Sequence, residues 1–133
     1  MAEFNWVKAR FGCSVKSVLK KLEVGARADV SAIAEIARQL GKQETYEVAP
    51  FADRFSVIRK KFGAVMSVDF TIDQAEIVAS VGDESECPIV RGIPTVNRDG
   101  ACVLLVDDVE WELWHFRRAA LDSLFFREYG GVR

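Results

Sequence analysis

The chain has 133 residues, half of them hydrophobic, with 9 Phe, 3 Trp and 2 Tyr and a net charge of −2. That is enough apolar material for one domain with its own core, and it excludes a disordered chain. No run of about 18 apolar residues is present, which excludes a transmembrane helix, and the opening stretch MAEFNWVKARFG lacks the apolar core of a signal peptide.

The charge is unevenly spread. Residues 1–63 carry 12 Lys and Arg against 7 Asp and Glu, and residues 64–133 carry 6 against 13. Attraction between the two halves of one fold accounts for this more simply than an anionic partner does, since a dedicated nucleic-acid binder is usually basic overall. Three cysteines, Cys13, Cys87 and Cys102, are an odd number at wide spacing, which predicts free thiols and a reducing, cytoplasmic setting.

In chain order, residues 4–12 form a lead-in of about one helical turn. Ser14 is a natural N-cap for the series Val15, Val18, Leu19, Leu22, Ala26, Val30, Ile33, Ala37 and Leu40. Steps of three and four keep one face apolar, so 14–40 is one long helix, or two joined near Gly25, with Gly41 as its stop. Gly25 is the expected bend, because glycine inside a helix costs up to about 1 kcal/mol.

Past Gly41 the period shortens to two. Strands are expected over 44–49, ended by Pro50, over 55–61 before a turn at Gly63, and over 65–72, where Met66, Val68, Phe70 and Ile72 share a face. Asp73–Gln74 turns the chain into 75–81, and 82–86 is an acidic loop. Gly92 and Pro94 mark 89–96 as an edge strand or a bulged one. NRDG (97–100) is a hairpin turn, 101–106 (ACVLLV) a strand covered on both faces, and Asp107–Asp108 a tight turn into 109–114, on which Val109, Trp111 and Leu113 share a face. From His115 to about 127, Phe116, Ala120, Leu121, Leu124 and Phe125 form a helical stripe, and 129–133 is a frayed tail. The expected fold is one α+β domain over 1–133: a long N-terminal helix, an antiparallel meander of about six strands, and a C-terminal helix packed on the sheet.

Two stretches, Trp6-x-x-x-Arg10-x-x-Cys13-Ser14 and Trp114-x-x-Arg117-Arg118-x-Ala120-Leu121-x-x-Leu124-Phe125-Phe126, are similar to those of short uncharacterised bacterial proteins. These proteins start with a Trp/Arg/Cys stretch and end in an RR-x-AL-x-x-LFF helix. The resemblance implies the same architecture over nearly the whole chain. It carries no assigned activity and no functional residue.

The chemistry-bearing residues are few. Cys13 and His115, the only histidine, are the one possible thiolate–imidazole pair, but no motif surrounds Cys13 and a buried cysteine is inert. Zinc needs about four closely organised ligands, which the cysteines do not offer. Asp107, Asp108, Glu110 and Glu112 lack the pattern of a calcium loop, so they read as a solvated turn and no metal or cofactor is expected. Arg117 lies inside the helical stripe and Arg118 beside it. Either they contact an anion or partner, or they pair at home, Arg118 with Asp122 and both with the hairpin carboxylates.

With Trp111 and Trp114, these two arginines are the expected binding residues. The aromatics Trp6, Trp111, Trp114, Phe116, Phe125 and Phe126 exceed what one stripe hides, which predicts a homodimer or a sandwiched helix. A non-catalytic binding or protein-interaction domain is the leading expectation. The alternatives are a small-ligand or enzyme pocket between helix and sheet, and nucleic-acid binding through Lys8, Arg10, Lys16, Lys20, Lys21, Arg54, Arg59, Lys60 and Lys61.

Overall fold

A computed structural model describes residues 3–82 and 87–127. A short helix α1 (Trp6–Phe11) leads into α2 (Val15–Gln39). Seven strands follow: β1 (Glu44–Pro50), β2 (Phe55–Lys61), β3 (Ala64–Asp73), β4 (Glu76–Val81), β5 (Pro88–Val96), β6 (Cys102–Val106) and β7 (Val109–Trp111). Helix α3 (Leu113–Phe126) ends the described chain. The strands pair antiparallel in sequence order, so the sheet is a pure meander. It has one strand more than expected. Most of the acidic loop and the tail at 129–133 lie outside the described residues. Among the described residues no helix is long and apolar enough to cross a membrane.

Helix α2 is set by its ends. The Ser14 side chain accepts a hydrogen bond from the Ser17 amide, satisfying one of the orphan donors of the first turn. At the other end Gly41 adopts φ +70°, and the Gly41 and Lys42 amides donate to the carbonyls of Arg38 and Ala37. This double closure needs a left-handed residue where glycine stands. Between the caps the helix is continuous through Gly25, so of the two expectations the single long helix holds and the two joined there do not.

The sheet buries one face against α2 and α3. On β2 the inward residues are Phe55, Val57 and Arg59, opposite Phe70, Val68 and Met66 of β3. The rings of Phe55 and Phe70 stack with centroids 4.5 Å apart, and Phe116 of α3 lies 6.4 Å from Phe70. Gly92 of β5 makes room for α3: a Cβ there would stand 3.3 Å from the Phe116 ring and 3.2 Å from Leu104. The outer face is more polar, and a Ser56–Asp69 hydrogen bond crosses it between directly paired residues.

The turns follow their chemistry. Asp107 and Asp108 both have positive φ, which gives the two-residue hairpin expected between β6 and β7. Strand β5 is interior, which excludes the edge alternative, while a register shift in its pairing with β4 agrees with the bulged one, and its pairing is divided. Pro88–Gly92 pairs with β4 across a register shift at Ala79/Ser80, and Ile93–Val96 pairs with β6. Pro94 therefore lies beyond the β4 ladder, where its missing N–H breaks no bond to that strand. Trp114 belongs to the first turn of α3, because β7 is only three residues long and the helix starts at Leu113.

The expectation of three free thiols is corrected. Cys13 and Cys102 form a disulfide with Cα atoms 5.5 Å apart, and Cys87 alone is free and exposed. The wide spacing hid the pair because β6 returns the chain to the start of α2. The argument from free thiols to a reducing compartment therefore falls.

Candidate functional site

An apolar groove of about 350 Å³ lies between α2 and α3. Ile33, Ile36, Leu121 and Phe125 supply apolar lining, and Trp114, Arg117, Arg118, Asp122 and Phe126 come from α3. Three of the four residues expected to bind, Trp114, Arg117 and Arg118, thus converge. Trp111 does not. It lies in a neighbouring cleft, its ring 4.1 Å from the His115 imidazole and nearly parallel to it, with Trp114 5.5 Å away on the same imidazole.

Arg117 pairs inside the protein, but not with the hairpin carboxylates. Its Nε donates to Asp29 Oδ2 of α2 at 2.7 Å. Gly25, one turn before Asp29, lets the guanidinium lie against the helix: a Cβ at Gly25 would come within 2.3 Å of Arg117 Nη1. The glycine marks a close approach of Arg117 to the helix backbone. Arg118 and Asp122 are four residues apart and both exposed, yet they form no ion pair among the described residues, which corrects the expected local pairing.

These two stand in a row with two aromatics. Trp114, Arg118, Asp122 and Phe126 recur every fourth residue, which places them on one ridge of α3. Trp114 is 51% exposed and Phe126 40%, so among the described residues nothing sandwiches α3 along this ridge.

The thiolate–imidazole reading is overturned. Cys13 is bonded to Cys102 and has no thiol to ionise. Of the hairpin acids, Glu110 accepts a hydrogen bond from Asn97 Nδ2 at 3.1 Å, and Asp107 and Asp108 form the turn. The basic series loses Arg59, which is buried. Its guanidinium donates to both carboxylate oxygens of Glu44 and to the Leu124 carbonyl at 3.0 Å, tying the last turn of α3 to the sheet. The parity of Phe55, Val57 and Arg59 was the signal that Arg59 points inward. Asp29, by contrast, carried no sequence signal as the partner of Arg117.

Comparison with known proteins finds no matching family model, no matching curated protein and no matching solved structure.

Proposed function

We propose that this chain is a non-catalytic protein-interaction domain that works as a homodimer, with the outer ridge of α3 as the contact. One observation carries the reading. The ridge runs aromatic, cation, anion, aromatic: Trp114, Arg118, Asp122, Phe126. Read from the other end, about position 120, the aromatics stay in place and the two charges exchange, so the row is complementary to its own reverse.

A two-fold interface requires such self-complementarity, because each surface meets its own copy reversed. Antiparallel α3 helices centred on Ala120 bring Arg118 to the partner's Asp122 and Asp122 to the partner's Arg118. The same alignment brings Trp114 to the partner's Phe126 at both ends. Four residues of helix rise about 6 Å, so the two ion pairs sit side by side at the centre, with apolar rings outside them. Ile36, 41% exposed on the far wall of the groove, adds apolar surface beside the ridge.

Sedimentation velocity over a wide concentration range tests the proposal. It predicts twice the chain mass at micromolar concentration. A monomer at several hundred micromolar, on the order of the weakest specific association, overturns it.

A further inference from the structure

A second depression, of about 310 Å³, lies where the β1–β2 turn meets the start of α2. Leu19 and Ile72 give it an apolar lining, and Lys16, Lys20 and Arg54 contribute three cations. The backbone sets this grouping. Lys16 and Lys20 are four residues apart on one face of α2, and the Phe51 amide donates to the Arg54 carbonyl at 2.8 Å, closing the turn that brings Arg54 across.

The charges around the cleft are not balanced. Its carboxylates are Glu23 and Asp53. Glu23 is 8% exposed and is already held by Arg27, whose Nε and Nη2 donate to it at 3.3 and 2.8 Å. Lys20 reaches Glu23 only at 3.7 Å, with its own side chain 71% exposed. Lys16 and Arg54 have no carboxylate partner among the described residues. Asp53, exposed on the turn, is the one unanswered anion.

Phe51 adds an aromatic platform. It is 54% exposed, and the Arg54 guanidinium lies 4.8 Å from its ring centroid. A cation over the ring beside a free flat surface suits a ligand that is both anionic and planar.

We infer that this cleft binds a phosphorylated ligand carrying a flat ring, of the nucleotide class, with the phosphate among Lys16, Lys20 and Arg54 and the ring against Phe51. A phosphate monoester offers several charged acceptor oxygens, which three cations approaching from two elements satisfy together. Arg54 supplies the forked geometry and the lysines supply point charges. None of these residues belongs to α3, so the binding is expected of monomer and dimer alike.

The test is a two-dimensional NMR titration of the full chain at low salt with adenosine monophosphate, adenosine and inorganic phosphate as separate probes. The nucleotide is expected to shift the amides of Lys16, Lys20, Phe51 and Arg54. Adenosine and phosphate are each expected to bind at least about tenfold more weakly, because each keeps one half of the contacts. Lys16→Ala and Arg54→Ala, both at exposed positions, should each weaken the nucleotide about tenfold, and Asp53→Asn should tighten it. No shift with nucleotide on the order of 10 mM, shifts centred elsewhere, or variants that bind unchanged overturn the site. Inorganic phosphate binding as tightly as the nucleotide overturns the ligand class.

Discussion

Arg117 lies against Gly25, its guanidinium in the space a side chain at Gly25 would occupy, and from there it reaches Asp29 one turn further along α2. The relationship makes a test by double-mutant cycle. Gly25→Ala favours the helix by up to about 1 kcal/mol, but it displaces Arg117 from its half-buried partner. In the wild-type background the weakened pair, worth up to about 1 kcal/mol, offsets that gain, and the variant is expected to be close to neutral in stability. With Arg117→Ala in place the same change is expected to stabilise by about 1 kcal/mol. Urea unfolding measures both, and an equal effect in the two backgrounds contradicts the contact.

The buried pair Arg59–Glu44 makes a second prediction. Side chains of both are almost fully enclosed, at 2% and 1% exposed. Removing the guanidinium takes from the buried Glu44 carboxylate its bidentate partner, so Arg59→Met is expected to cost about 3–5 kcal/mol. Arg59→Met with Glu44→Leu removes both charges and is expected to recover a large part of that loss. Tyr46, whose hydroxyl donates to Glu44 at 2.8 Å, keeps the recovery incomplete. A double variant as unstable as the single one contradicts the loss of the charge pair as the cause.

The Cys13–Cys102 bond closes a separation of 89 residues. A cross-link of that span stabilises by about 4.6 kcal/mol through the unfolded chain, which corresponds to roughly 15 °C in melting temperature. α1 has no buried residue of its own, so the bond next to it is expected to hold the lead-in on the body. Calorimetry with and without a dithiol reductant checks the magnitude. Rapid proteolysis at residues 3–12 only after reduction checks the location. An unchanged melting temperature in fully reduced protein contradicts both.

Arg38 beside Glu35 holds the Glu35 carboxyl below the usual carboxylate range, chiefly by hydrogen bonding. A depressed folded value contributes stability that is present above the unfolded carboxylate range and lost as pH falls through the folded one. Both groups are exposed, so the effect belongs to an NMR titration rather than to a melting curve. Arg38→Gln is expected to move the Glu35 titration upward, and an unmoved titration contradicts the pairing.

How much of this was legible in the sequence differs from feature to feature. The apolar spacing from Val15 to Ala37 and the alternation from Met66 to Ile72 were enough for the helix, the strands and the meander, because each periodicity is local. The groove was half legible: Arg117 stood out as a charge in an apolar stripe, but its partner lies 88 residues away on α2. The disulfide was misread for the same reason, since only the folded meander brings Cys102 to Cys13. Gly25 was noticed for the wrong cause: close approach and helix breaking leave the same letter in the sequence. Arg59 could have been found by counting parity along β2.

The most direct test of the dimeric interaction surface is charge exchange on the α3 ridge, read by sedimentation velocity. Arg118→Asp places two acids against each other at both pairs of the two-fold contact and is expected to dissociate the dimer at least about tenfold, and Asp122→Arg should do the same with two bases. Combining Arg118→Asp with Asp122→Arg restores opposite charges across the axis and is expected to return the chain to a dimer. A wild-type chain that stays monomeric contradicts the account, as does a dimer indifferent to either single change or one that the combined exchange fails to restore.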